Sequence, residues 1–148
     1  MHPSNMEVKD RLNIVNELVK IIADSGRKFF APKNNLYEIL HFIIDESSEL
    51  CVYNPNTGKY INISRTRKSL DRTLDRTLTY GSTLRGLILD FRKFILNGEY
   101  TNGDHGRSGV FCSHWGYNHD DMVKIRRKAF DLGYIPSYIE PTNCSDWL

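Results

Sequence analysis

Tyr37-Glu38-Ile39-Leu40-His41-Phe42-Ile43-Ile44, Leu50-Cys51-Val52-Tyr53 and Tyr60-Ile61-Asn62-Ile63 are three short runs of β-forming residues. Asp45-Glu46-Ser47-Ser48 separates the first from the second, and Asn54-Pro55-Asn56-Thr57-Gly58 the second from the third. Connections this short and this rich in turn formers join antiparallel neighbours, so the stretch predicts a three-stranded meander. In the first run Leu40, Phe42 and Ile44 alternate with Ile39, His41 and Ile43, so both faces are largely apolar. A lone three-stranded sheet with such faces requires cover, and helices on either side of it in the sequence supply it.

Before the meander, Val8, Leu12, Val15, Val19 and Ile22 recur at helical spacing, and Ile14, Leu18 and Ile21 widen the stripe. Ser4-Asn5-Met6-Glu7 reads as a capping box that opens this helix, and Gly26 as its stop. After the meander, Leu84, Leu87, Ile88, Phe91 and Ile95 predict a second helix that Asn97-Gly98 ends. A third follows, with Asn118 as cap, Asp120 and Asp121 in its first turn, Met122, Ile125, Ala129 and Leu132 on one face, and Gly133 at its end. Residues 98–117, rich in Gly, Asn, Ser and aromatic residues, read as a long loop. The expected fold is therefore a single α+β domain over residues 1–148: an N-terminal helix, the antiparallel meander, then two further helices separated by a long loop.

The bulk numbers agree with one compact core. A chain of 148 residues buries roughly two thirds of its unfolded surface without disulfides or metal. Apolar and charged fractions of 40% and 26% argue against extensive disorder. No apolar run is long enough for a membrane span, and Met1 to Lys9 lacks the charged-then-apolar order of a signal peptide. Three cysteines, Cys51, Cys112 and Cys144, fit reduced thiols better than a disulfide framework. These observations lead to an expectation of cytoplasmic residence.

Charge is unevenly distributed. Of twenty Lys and Arg residues, nine lie between Lys59 and Lys93 against three acids, Asp71, Asp75 and Asp90, giving that segment +6. Residues 1–58 hold six bases and eight acids, and residues 94–148 five and seven. A concentrated cationic segment in a nearly neutral protein points to an anionic partner. Arg65, Arg67, Lys68, Arg72, Arg76 and Arg85 are its candidate binding residues, with Tyr60 and Tyr80 as stacking faces beside them. The Leu70-Asp71-Arg72-Thr73 and Leu74-Asp75-Arg76-Thr77 near-repeat suits a turn or two of helix, which sets Arg72 and Arg76 on one face. Ser82 and Thr83 open the next helix, whose free amides suit a phosphate. The plainer alternative is a solvated surface whose bases pair with Asp71 and Asp75. Trp115 and Tyr117, with Tyr100 and Phe111, form an aromatic loop cluster that suits a macromolecular contact or, more simply, staples the third helix to the core.

Ser25-Gly26-Arg27-Lys28-Phe29-Phe30, Asn56-Thr57-Gly58-Lys59, Gly81-Ser82-Thr83-Leu84-Arg85, Asn97-Gly98 and Trp115-Gly116-Tyr117 before Met122 stand in an order that resembles a family of small, uncharacterised bacteriophage proteins, over residues 10–135. That family has no settled activity. The resemblance implies a phage accessory protein acting in the bacterial cytoplasm, against a host enzyme or defence system.

Catalytic patterns are weak. His105, Cys112, His114 and His119 lie close in sequence but match no zinc spacing, and paired C-x-x-C knuckles are absent. Asp104-His105-Gly106 with Asn118 and His119 resembles elements of ββα-metal nucleases, yet Arg126 and Arg127 stand where the further His belongs. There is no Gly-x-Ser-x-Gly elbow, Walker loop or dinucleotide fingerprint. The expectation is a non-enzymatic protein without metal or cofactor. It binds and modulates a host protein or protein–nucleic-acid complex through residues 65–93 and 100–119, with no membrane partner. The alternative is direct nucleic-acid binding through the basic segment. The sequence leaves the oligomeric state open.

Overall fold

The computed structural model describes residues 2–24, 39–55, 57–64, 81–100 and 119–138, the first six residues of the helix over 81–97 by their backbone alone. A single 3-10 turn at Pro3–Asn5 precedes α1 (Val8–Asp24); β1 (His41–Ile44), β2 (Leu50–Asn54) and β3 (Lys59–Asn62) follow, then α2 (Gly81–Asn97) and α3 (His119–Leu132). The sheet is antiparallel in the order β1-β2-β3, with Phe42 opposite Val52 and Val52 opposite Ile61. Helix, meander and two helices thus stand in the expected α+β order. The basic connection over 65–80 and the loop over 101–118 lie outside the described residues.

Leu40, Phe42, Leu50, Val52 and Ile63 form the inner face of the sheet, and α1 lays Val15, Leu18, Val19, Ile22 and Ala23 into the same core. From α2 come Leu87, Ile88, Phe91, Phe94 and Ile95, and from α3 Met122, Ile125 and Ala129. Each fully buried side chain of this size contributes about 1.5–3 kcal/mol through removal from water. The first run is shorter than its alternation predicts. Ile39 and Leu40 precede the ladder, which begins at His41, and Leu40 is buried without belonging to a strand.

The start of α1 corrects the capping-box expectation. Ser4 does not cap the helix: its hydroxyl lies 2.7 Å from His2 Nδ1, which also takes the Ser4 amide at 3.1 Å. The helix opens at Val8, with the Glu7 carbonyl accepting from the amides of Asp10 and Arg11. The competing force is Arg11, whose side chain is only 5% exposed. Its Nε donates to the Ile95 carbonyl at 2.8 Å and its Nη2 to the Leu96 carbonyl at 3.3 Å, at the C-terminus of α2. Its Nη1 donates to the carbonyls of Pro3, at 2.9 Å, and Met6. A cation against a helix C-terminus meets the negative end of the dipole and the unpaired last carbonyls together. The N-terminal turn is shaped to present two more carbonyls to the same guanidinium.

Gly98 ends α2 with φ +66°, its amide donating to the Phe94 carbonyl. A Cβ there would stand 2.6 Å from Ser4 Cα and 2.7 Å from the Pro3 carbonyl carbon and oxygen. The backbone of the N-terminal turn lies directly on this residue, so glycine is required both by conformation and by approach.

Asn16 closes the edge of the sheet. Its carboxamide accepts from the Phe42 amide at 2.8 Å and donates to the Phe42 carbonyl at 2.9 Å, the two bonds a further strand would make. An edge strand otherwise offers these groups to another chain. At the far end, α3 finishes in a Schellman motif: Gly133 donates to the Phe130 carbonyl at 3.0 Å and Tyr134 to the Ala129 carbonyl at 2.8 Å. The motif drops Tyr134, fully buried, between Phe91 and Phe94, with centroids at 5.4 and 4.8 Å. Phe91 in turn meets Phe42 edge to face at 5.8 Å. One aromatic chain thereby joins α3, α2 and β1. Beyond it, Arg127 lies over the Tyr138 ring at 4.7 Å, docking the residues after the helix.

In the first hairpin, Asp45 Oδ1 accepts from the amides of Ser47 and Glu49 at 2.9 Å each. The same carboxylate reaches the Cys51 thiol, whose sulfur lies 3.7 Å from Oδ2. Burial first, then the negative charge and hydrogen bonding of Asp45 and the charge of Glu49, push the Cys51 thiol above its ordinary pKa. Cys51 is buried on β2, and the thiolate needed for nucleophilic attack is suppressed.

Two outcomes follow from these arrangements. In urea denaturation, Arg11→Met loses about 2–4 kcal/mol because four carbonyls lose a charged donor. Gly98→Ala loses about 2 kcal/mol or more through backbone collision, and Arg11→Lys recovers only part of the Arg11 loss, since one ammonium cannot span both sets of carbonyls. In iodoacetamide labelling at mildly alkaline pH, read by peptide mass spectrometry, Cys51 of the folded protein reacts severalfold more slowly than in urea; equal rates would contradict the suppressed thiolate.

Candidate functional site

The outer face of the sheet carries His41, Ile43, Cys51, Tyr53, Tyr60 and Asn62, since side chains alternate along each strand and their neighbours Phe42, Val52 and Ile61 point to the core. Pairing sets His41 opposite Tyr53 and Tyr53 opposite Tyr60, so three rings form one row across all three strands. His41 stacks on Tyr53 at 4.9 Å with planes 25° apart. Tyr60 leans onto Tyr53 at 5.1 Å and stands edge-on to His41 at 5.9 Å. His41 Nδ1 lies 2.9 Å from the Ile39 carbonyl and therefore carries the proton, which leaves Nε2 to accept from the Tyr60 hydroxyl at 3.3 Å. Tyr60 is nonetheless 50% exposed. Lys59, exposed, precedes it on β3.

β3 runs away from this row, and the last residues described before the basic segment lie at the opposite end of the sheet, beside the start of β2. Ile63 continues the ladder by donating to the Leu50 carbonyl at 2.8 Å, and Ser64 follows with its hydroxyl accepting from the Leu50 amide. Arg65 is the next residue. Arg92, on α2, fixes this exit by donating from Nε to the Ile63 carbonyl and from Nη2 to the Ser64 carbonyl at 3.0 Å. One cation of the run between Lys59 and Lys93 thus holds backbone. Position 85 lies on the same face of α2 two turns earlier, by helical periodicity. Arg65, Arg67, Lys68, Arg72, Arg76, Trp115 and Tyr117 lie outside the described residues, as does Tyr80, and Arg85 is placed by its backbone alone.

Sequence reasoning singled out Tyr60 as a stacking face but missed His41 and Tyr53 as its companions. The signal that finds them is register: once the turns fix the pairing, the three positions fall in one row.

Two open grooves flank α1. One, of about 680 Å³, runs between the start of α1, β1 and the end of α2, lined by Val8, Leu12, Ile43, Ile44 and Leu96 with Lys9 at its side. The other, of about 350 Å³, is lined by Asn13, Asn16, Ile39 and His41 beside the Glu17–Lys20 ion pair of 3.1 Å. The first offers apolar contact, the second amides and an already neutralised pair. No group of three or more His, Cys, Asp or Glu among the described residues is placed to hold a metal ion. His119 opens α3, whereas His105, Cys112 and His114 lie outside the described residues. No helix among the described residues is long and apolar enough to cross a membrane.

Comparison with known proteins agrees with the resemblance drawn from the sequence motifs. The chain is similar to the SPbeta prophage-derived uncharacterized protein YoqU of Bacillus subtilis (strain 168), 24% identical over 150 residues that cover 97% of this chain and 96% of that protein. No solved structure matches it. The YoqU family model matches residues 5–144, from the N-terminal turn to beyond the last described helix, and the chain belongs to the YoqU family.

Proposed function

We propose that this protein is a non-enzymatic accessory factor that binds and modulates a macromolecule of a bacterial host, in the host cytoplasm. The target is a host protein or protein–nucleic-acid complex, of the kind a defence system contains. A prophage-derived relative that matches nearly end to end supports the setting. The observation that carries the reading is a half-exposed aromatic row on a sheet whose last strand leads on, in sequence, to a cationic segment. Tyr60 stands on β3, and in the sequence Arg65 is next after Ser64. Rings supply contact area at low entropic cost, and clustered cations supply attraction to an acidic surface or to phosphate. The grooves on either side of α1 add apolar and amide contact rather than a reacting centre.

Direct nucleic-acid binding through residues 65–93 is the second reading, favoured by the +6 of the Lys59–Lys93 segment. Salt separates the two. A complex that neutralises four or five phosphates weakens by about a hundredfold between roughly 50 and 200 mM salt, whereas a contact centred on aromatic residues changes far less. Affinity capture from bacterial lysate, with and without nuclease, is the test. Retention after nuclease supports a protein target, loss supports nucleic acid, and Trp115→Ala and the pair Arg67→Glu, Arg72→Glu report the aromatic and cationic contacts respectively. Unchanged capture by all of these variants would contradict both surfaces.

A further inference from the structure

We infer that the outer edge of β3 is a docking strip for an extended segment of a partner polypeptide, which adds to the sheet as a fourth strand. The inference rests on the macromolecule-binding reading above and names the form in which a protein partner is held. In an antiparallel ladder every second residue turns both backbone groups to its neighbour, and the residues between turn theirs away. Continuing the register of Asn62 opposite Cys51 sets Ile63 opposite Leu50, and the Ile63 amide donates to the Leu50 carbonyl at 2.8 Å. Lys59, Ile61 and Ile63 therefore face β2, while Tyr60 and Asn62 present their amides and carbonyls outward. The same alternation, carried across β2, turns the backbone of Phe42 outward on β1, and there Asn16 takes both groups. The two edges are thus treated differently. Among the described residues nothing bonds the outward backbone groups of Tyr60 and Asn62, and Lys59, Tyr60 and Asn62 are exposed.

The chemistry of the strip sets its occupant. Amide and carbonyl pairs that recur every two residues, about 7 Å apart, match those of another extended chain. A phosphate chain only accepts hydrogen bonds and would leave both carbonyls unmet. Side chains refine the fit, with Lys59 and Ile61 on one face of β3 and Tyr60 and Asn62 on the other. Ile61 is partly buried against the core, so a β-branched residue opposite it extends the core past the strand. An acid two residues further along the incoming segment meets Lys59, and the residue between them lies beside the half-exposed Tyr60 ring. A lysine on an edge strand also opposes indiscriminate pairing, so its charge selects among segments. The strip is four residues long. Pairing along it alone falls well below the roughly 1,200 Å² that a stable complex of two folded domains buries, which fits a flexible segment better than a second globular copy of this chain.

The test is fluorescence anisotropy of the full-length protein with a labelled peptide of about eight residues that alternates threonine with valine and carries glutamate two residues after a central valine. Two further versions bear N-methyl groups on alternate amides, one on the odd positions and one on the even. Strand addition requires that one methylated version bind within about twofold of the parent and the other at least about tenfold more weakly, because only one set of amides faces β3. Asn62→Pro removes an outward donor without breaking the ladder and should weaken the parent peptide about fivefold or more, whereas Asn62→Ala keeps it within about twofold. Thermal melting checks that each variant retains the fold. Amide exchange reads the same contact in the wild type: Tyr60 and Asn62 exchange fast in the free protein and severalfold more slowly with the peptide bound. Failure of the parent peptide to bind, equal binding of the two methylated versions, or unchanged exchange at Tyr60 and Asn62 would overturn the strip. Self-association in sedimentation that Asn62→Pro abolishes, without peptide binding, gives the edge to a second copy and overturns it too. Nuclease-resistant capture from bacterial lysate then decides the binding reading separately: its persistence leaves that reading standing without the strip, and its absence overturns both.

Discussion

The buried guanidinium of Arg11 is the constraint that the described structure is arranged around. Four carbonyls converge on it, two from the end of α2 and two from the N-terminal turn. A charge taken out of water is tolerated only where its donors are satisfied, so these carbonyls and the cation each require the other. The consequence is geometric. The chain before α1 has to wrap over the C-terminus of α2, which forces Gly98 into a left-handed conformation with backbone at its Cα, and sets the two helices side by side over the sheet. The position of the sheet follows, because Asn16, one and a half turns along α1 from Arg11, holds the edge of β1 through both backbone groups of Phe42. One helix therefore fixes α2 by a charge and β1 by an amide, and the apolar stripe between them closes the core.

The elements were legible in the sequence because their causes are local. Helical spacing of Val15, Val19 and Ile22, alternation around Phe42, turn residues between strands and Gly98 after α2 each act within a few residues, and all reappear in the structure. What could not be read depends on partners distant in sequence. Arg11 looks like any solvated arginine on a helix until residues 95 and 96 are brought to it. Ser4 reads as a cap by pattern, but the pull of Arg11 on the Pro3 and Met6 carbonyls moves the helix start to Val8. Tyr134 had a local cue that went unused: a residue following a C-terminal glycine is carried back over the helix by the Schellman geometry, so an aromatic there is core.

The same distinction applies to the site. Charge segregation is a property of composition and was visible at once, and Tyr60 was recognisable beside it. His41 and Tyr53 were not, because alternation alone gives the face of a residue and not its cross-strand neighbour. His41 in particular sat in a run that reads as core on both sides, whereas the described helices pack on the inner face.

The outer face, which no described helix covers, is divided along its length. At the hairpin end, Asp45, Cys51 and the amides of the turn satisfy one another, so that half of the face is occupied by its own hydrogen bonds. At the opposite end the bonds among Ile39, His41 and Tyr60 consume polar groups but leave ring surface outward. Cross-strand aromatic pairs contribute about 0.2–1 kcal/mol to a sheet, yet a strand partner satisfied by packing alone has no need of a half-exposed third ring, nor of a cationic segment anchored by Arg92 at the end of the same strand. A half-exposed ring adds little to folding, which is the physical reason to look for its use in contact with another molecule.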